Sequence, residues 1–540
     1  MKYINKTVAI FAGITLLFSC ADLDTFPEGD YISGELNQQI LGARPEFVTA
    51  EISGMYAILG QQFCVYGAAQ GRHDDFGFPF VALAQDMNGP DMACVDDGYN
   101  WFGGSLDYSD RTYTFANPYM RFAIFYKQIA AANNIIASID EGTDNAELRA
   151  SRAQARAIRA FDYLSLVPYY QYRYKGNETK LSVPLITDEP APSNPRAPLE
   201  DVYQQILEDL DYAIEVLEGY TRTTKAEIDQ NVAYGLRARA NLYMENWAAA
   251  AADADKALQG YQAASMDDVS KPAFIDANDT YWMWAVLIGP DKVPNAFATW
   301  PAKLSSFSGM GYAAAVNCYK TINRILFDLI PETDVRKGWW VDANLESPNL
   351  ATVTWGKATG NEIPPLVLEG DKVPFLPYTN VKFGQYGGGG GTTNAGDWCL
   401  MRAEEMILIK AEGLAMSGGN GRSVLEDFIK THRDPSYVCP ATSGVAFQNE
   451  IWKQRRIELW GEGFAMSDIM RLGKPVVRIV EGKDTNFPPN FQFNIAPDDE
   501  WLLMRFPQQE MNSNPDVVQN DGGSLPKRGD GASLRDGITD

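Results

Sequence analysis

The sequence predicts a mostly α-helical protein built on paired helices, with an irregular, loop-rich region and few short strands. Three observations predict it. Apolar residues recur at three- and four-residue spacing over Tyr119–Ile139, Leu148–Tyr170, Leu199–Leu217 and Ala233–Leu258, and again over Leu400–Met416, Ser423–His432 and Phe447–Arg471. That spacing lines the apolar side chains along one face of a helix. Between these blocks, Ser265–Trp398 is dense in Gly, Pro, Asn and Asp, the residues that punctuate turns. A chain with 45% apolar and 12% aromatic residues also has enough to bury, which excludes a disordered polymer.

Taken in order, the first element reads as an export signal. Lys2 and Lys6 precede the largely apolar run Val8–Phe18, which is too short to span a bilayer. The run ends Leu17-Phe18-Ser19-Cys20, and a small residue before Cys is similar to the bacterial lipobox, cut before the cysteine and acylated on its thiol. Lipid on Cys20 would then be the membrane attachment, and several acyl chains make a permanent tether. Acidic, Pro/Gly-punctuated residues follow, so 1–19 is expected to be signal peptide and 20–45 a leash. Residues 46–540 are expected to form one domain. Its helical core is expected at about 119–260 and 400–473, and its loop-rich parts at about 60–118 and 265–398.

Within that domain, the Tyr119–Ile139 and Leu148–Tyr170 helices are separated by the polar turn Asp140-Glu141-Gly142. Five prolines between Pro184 and Pro198 make the next loop. Leu199, Val202, Tyr203, Ile206, Leu210, Ala213, Ile214 and Leu217 then form one clean helical stripe. Ala233–Leu258 is Ala-rich with a central break, a pattern similar to a tetratricopeptide unit. The number of such units is small, so a core of helical hairpins is expected, not an open solenoid.

The net charge of −24, with no basic stripe, argues against a nucleic-acid binder. Cys64, Cys94, Cys318, Cys399 and Cys439 include no Cys-x-x-Cys spacing, and the chain has two histidines, so no structural zinc or other cofactor is expected. At most two disulfides could form; buried, inert thiols are the simpler expectation. Asp75-Phe76-Gly77 and His432-Arg433-Asp434 mimic kinase signatures in reversed order without their companions, and Gly387–Gly391 lacks the Lys-Ser/Thr of a phosphate loop. His73, beside Asp74 and Asp75, reads as a solvated loop histidine.

Several separated motifs converge on one resemblance. Cys20–Pro27, Ala155–Tyr163, Val183-Pro184-Leu185 through Arg196 to Asp209-Leu210, and Arg402-Ala403-Glu404 with Lys410-Ala411-Glu412 occur in that order. Arg455-Arg456-Ile457-Glu458-Leu459-Trp460-Gly461-Glu462-Gly463 continues to Asp468 and Arg471, and Pro507–Asn512 with Asn514-Pro515 and Gln519-Asn520 closes the pattern. The chain resembles the SusD/RagB family of glycan-binding outer-membrane lipoproteins of Bacteroidetes, over Cys20 to about Gly523. Gly413 and Phe464–Ser467 depart from the family pattern. The resemblance implies a SusD-like helical fold and a non-catalytic receptor facing the cell exterior. That receptor would bind oligo- or polysaccharide and deliver it to a SusC-like TonB-dependent outer-membrane transporter. A surface glycoside hydrolase is the alternative, and a binder of peptide or another nutrient is a third. Glu458 and Glu462, one helical turn apart beside Arg455 and Arg456, read as ion-pair formers more than as the flanking carboxylates of a glycosidase.

Sugars offer apolar C–H faces and polar rims, so flat aromatic rings with amide, carboxylate or guanidinium neighbours suit them. The densest such stretch is Asp96–Gly104, giving Asp97, Tyr99, Asn100 and Trp101 as ligand candidates. Trp101 and Asn100 also resemble a Trp and an Asn that relatives place in the glycan site; the competing reading has Trp101 anchoring the loop to the core. Trp282 and Trp284 share a face if extended, as a platform or as a buried strand. Arg72 and Asp74 are further candidates, as are Tyr66 and Trp300 more weakly, whereas Trp339 and Trp340 after Asp334-x-Arg336 read as packing residues.

Overall fold

A computed structural model describes residues 40, 44, 46–188, 193–351, 353–355, 358, 359 and 375–540. Cys20, the expected signal and nearly all of the expected leash lie outside the described residues. Numbering the helices of eight or more residues in chain order, the structure has α1 Glu46–Ala57, α2 Phe78–Asn88, α3 Ala116–Ser138 and α4 Ala146–Tyr170. These are followed by α5 Leu199–Val216, α6 Gln230–Tyr243, α7 Trp247–Ala257 and α8 Ala403–Met416. The last three are α9 Gly421–His432, α10 Gly444–Glu458 and α11 Ala465–Leu472. The described strands are two to five residues long and pair in two-stranded antiparallel ribbons.

The helices stack as hairpins. From α3 to α9 each helix packs on the next, and α10 also packs on α8. Caps start them where the sequence provides an Asn or Asp: Asn145 Oδ1 accepts from the Glu147 and Leu148 amides at α4, and Asp229 Oδ1 from Val232 at α6. Close approach needs small residues. A Cβ on Gly413 would stand 2.5 Å from the Trp247 carbonyl oxygen and 2.9 Å from the Ala251 nitrogen, so α8 meets α7 there only because the residue is glycine. The departure from the family pattern at Gly413 is thus a packing contact. Across α4 and α5, Arg159 grips Asp209 with two bonds of 2.8 Å.

Two expectations about elements change. The helix read over Phe447–Arg471 breaks at Leu459–Phe464, because Gly461 and Gly463 take φ of 81° and 88°, and a Cβ on Gly463 would collide with Ala82 at 2.5 Å. Glu458 and Glu462 are therefore a helix end and a turn. Residues 398–402 also begin the α8 region as a strand, paired with Trp282–Val286. The strand reading of Trp282 and Trp284 holds, but both side chains are fully buried, so neither offers a ligand platform. Helices α1 and α2 were not foreseen.

Candidate functional site

The aromatic loop is shaped by its polar neighbours. Asp97 Oδ1 accepts from the Tyr99 amide at 2.8 Å and starts the turn Gly98–Asn100. Asn100 is buried: its Nδ2 donates to the Val95 carbonyl at 2.8 Å, and its Oδ1 accepts from the Phe102 amide at 2.6 Å. Both of these bonds shape the loop, and Asn100 is buried beneath it, whereas Asp97 is exposed with Oδ1 on its cap. Trp101 follows with φ 61°, while Phe102 drops into the core against Phe80. The consequence is outward display: Tyr99 is 60% exposed and Trp101 is half-buried.

A second segment, distant in sequence, meets them. Asn295 Oδ1 accepts from the Phe297 amide, Thr299 caps the short helix Trp300–Leu304, and Tyr312 opens the short helix Tyr312–Ala315. Asn394 ties this segment together, its Nδ2 donating to the carbonyls of Ala296 at 2.7 Å and Met310 at 2.6 Å. The glycine run backs it, with Gly309 N donating to Gly391 O and Gly390 N to Phe307 O. A Cβ on Gly309 would sit 2.2 Å from the Gly390 oxygen, which explains glycine-rich backbone on that side.

The rings then converge. Tyr99 stacks near Tyr312 with centroids 6.4 Å apart, Trp101 meets Tyr312 edge-on at 6.1 Å, and Phe297 meets Tyr312 at 5.7 Å. His73 sits among them, 5.5 Å from Trp101 and stacked on Phe297 at 5.7 Å. Its Nδ1 and the Tyr312 hydroxyl are hydrogen-bonded at 2.5 Å. Burial, aided by Lys303, pushes the imidazole below its ordinary pKa, so it is neutral at pH 7, and burial pushes the Tyr312 phenol up, so it keeps its proton. Behind the rings lies Lys303, fully buried, with Nζ 3.5 Å from the Tyr312 centroid and 4.9 Å from that of Trp101. That nitrogen has no hydrogen-bond partner, and burial lowers its pKa well below the lysine range. The histidine read as solvated is thus central, and Phe297, Lys303 and Tyr312 were not singled out. One local signal existed for Tyr312: in Gly309-Met310-Gly311-Tyr312 the aromatic directly follows a glycine, as Tyr99 follows Gly98.

The remaining candidates divide. Arg72 and Asp74 flank His73 and pair with each other at 2.6 Å, with Arg72 also over the Tyr66 ring. Trp300 is buried against Phe383 and Trp398, and Trp339 and Trp340 are buried in the core.

A family model described as "starch-binding associating with outer membrane" matches residues 77–242, and the model of the SusD family matches residues 373–522. The chain belongs to the SusD/RagB family. A SusD-like carbohydrate-binding protein from Bacteroides vulgatus has the same fold, with 23% identity, a TM-score of 0.70, and coverage of 89% of this chain and 98% of that one. A SusD superfamily protein from Bacteroides thetaiotaomicron gives 17%, 0.69, 88% and 99%, and a laminarin-binding SusD-like protein gives 18%, 0.58, 88% and 99%. No curated protein matches the chain.

The SusD/RagB signature residues lie in the scaffold, away from the rings. Arg402 pairs with Glu458 at 2.8 Å and with Glu462 at 2.7 Å, Lys382 with Glu462 at 2.6 Å, and Arg433 with Glu404 and Glu458. Arg471 pairs with Glu412 and Asp468, and Arg455 with Asp468. These guanidinium and ammonium partners, working against burial, hold the Glu458 and Glu462 carboxyls below the usual range, so neither is poised as a general acid. Of the ring cluster, Tyr99 and Trp101 lie within the first matched segment, whereas His73, Phe297, Lys303 and Tyr312 fall outside both. All five remaining cysteines are free thiols. Among the described residues no helix is long and apolar enough to cross a membrane, and no cluster of His, Cys, Asp and Glu is arranged to hold a metal.

Proposed function

We propose that this chain is a lipid-anchored outer-membrane receptor that holds oligo- or polysaccharide on its aromatic cluster without cutting it. The observation that carries the reading is the convergence of Tyr99, Trp101, His73, Phe297 and Tyr312, from three separate segments, into a partly exposed set of rings. Rings assembled this way stack on the C–H faces of a pyranose and bury them from water. The family's association with starch and the outer membrane, and the laminarin-binding neighbour, support a glycan as ligand. By family resemblance the captured chain passes to a SusC-like TonB-dependent transporter, with residues 20–45 as the leash and Cys20 as the acylation site.

The test uses residues 21–540 in calorimetry against soluble starch, laminarin, levan, xylan and mannan. Saturable binding to at least one, without release of reducing ends on long incubation, is expected. Reducing sugar that disappears when one carboxylate is replaced would instead establish a hydrolase. In cells, Cys20→Ser should move the protein from the membrane to the soluble fraction.

A further inference from the structure

A large groove lies beside the aromatic cluster and is not used by it. It encloses about 1010 Å³ between α1, the start of α4, the Tyr220–Glu227 loop and the end of the Trp282–Val286 strand. Small-molecule sites span about 300–1,000 Å³, so this one accommodates more than a single sugar ring. Its lining is more apolar than polar, with Ile52, Leu59, Val286 and Leu287 beside the hydroxyl and amide groups of Ser53 and Gln154, and the charged lining residues are Glu147, Glu227 and Lys292. One wall is a continuous hydrogen-bonded chain. Tyr56 OH donates to Gln154 Oε1 at 2.8 Å, Gln154 Nε2 donates to Tyr220 OH at 3.4 Å, and Tyr220 OH donates to Glu227 Oε2 at 2.6 Å.

The groove and the ring cluster share a rim. Gln62 lines the groove and exchanges two hydrogen bonds with the Asn295 backbone, at 2.8 and 3.0 Å. Asn295 in turn has its side-chain nitrogen 3.4 Å from His73 Nε2. The residues that line the groove and those that hold His73 therefore meet at the Gln62–Asn295 contact.

We infer that the groove is an extended second subsite for a neutral oligosaccharide, taking the units that run on from the aromatic cluster. Apolar side chains suit the C–H faces of sugar rings, the hydroxyl and amide groups between them suit the rims, and two carboxylates against one ammonium disfavour anionic polymers; the shared rim at Gln62–Asn295 makes the two subsites one track. This rests on the glycan-receptor reading.

Two blocking variants on opposite walls, Ser53→Trp and Thr224→Trp, test it, since both residues are exposed and a new ring there fills the groove without disturbing the core. Calorimetry compares them with wild type on the five polysaccharides above, then on two- to eight-unit fragments of the polymer bound most tightly. Each variant is expected to lower affinity for the polymer and the longest fragments by roughly three- to tenfold, the scale of one or two lost contacts. Two- and three-unit fragments should bind as before. Unchanged affinity for long fragments overturns the subsite, as does an equal loss at every length. Loss in the blocking variants with no loss in Tyr99→Ala or Trp101→Ala would sink the ring reading while keeping the groove. No binding of any polymer by wild type removes both. If Ser53→Trp leaves affinity unchanged but speeds tryptic cleavage at Arg44, the groove belongs to this chain's own leading segment, and the subsite is refuted.

Discussion

Tyr99→Ala is the cleanest perturbation of the proposed ligand surface, because the side chain contributes to display and little to folding. The ring is 60% exposed, and the turn beneath it is held through the Tyr99 backbone amide, which alanine retains. An aromatic side chain carries about 200 Å² of surface, so 60% exposure leaves about 120 Å², of which a stacked pyranose covers about half. At about 25 cal/mol per Å², that contact is worth about 1.5 kcal/mol, or roughly tenfold in Kd. Calorimetry on the tightest-binding polysaccharide should show the tenfold loss, with an unchanged urea midpoint. A Kd within twofold of wild type, at full folding, would refute the reasoning. It would place the sugar on rings other than Tyr99, or outside the cluster altogether.

Asn100→Ala should behave differently: it strands a half-buried carbonyl at Val95 and a buried amide at Phe102, so urea denaturation should report a loss of about 1–3 kcal/mol. Glu458→Gln removes the carboxylate shared by Arg336, Arg402 and Arg433 and should destabilise the fold by about 3–5 kcal/mol. Asp86, buried with its carboxylate facing the Gly463 and Ala465 amides, has its pKa raised to about 7, mainly by burial. The folded state then holds that proton more tightly than the unfolded state, so wild-type stability should fall as pH rises from about 4 to about 7, a slope Asp86→Asn lacks. Lys303 has the opposite sign. Its folded pKa is depressed, so wild-type stability should rise with pH toward about 10.4, and the advantage of Lys303→Met at pH 7 should shrink over that range.

The helical frame was legible because it obeys local rules. Apolar spacing located α3 to α9, though the caps at Asn145 and Asp229 were not read from it. The misreadings have equally local causes. The Phe447–Arg471 pattern keeps helical spacing across the break, and two glycines at positive φ, required by contact with Ala82 and Phe383, decide it instead. Trp282 and Trp284 alternate as a strand should, yet periodicity cannot say whether a strand's exposed-looking face is covered. Here both faces are. The ring cluster was half legible. Tyr99 and Trp101 announced themselves as glycine-bracketed aromatics, but their partners come from residues 73 and 297–312, brought in by Asn394 and the glycine run, and no pattern in one chain encodes that meeting.

The placement of charge sets the scaffold apart from the ring cluster. The signature arginines and glutamates neutralise one another inside the helix stack, and removing any one leaves an uncompensated buried ion, so that chemistry is constrained residue by residue. The ring cluster has no such interlock. Its members touch through faces and edges worth about 0.5–1.5 kcal/mol each, so one ring is replaceable without unfolding its neighbours. Lys303 is the exception that connects the two regimes. Its nitrogen gains no hydrogen bond where it lies, so the protein carries a buried amine at a stability cost against the Tyr312 face. If that face is where sugar stacks, Lys303→Met should raise stability and alter glycan affinity together, whereas a purely structural lysine would move stability alone.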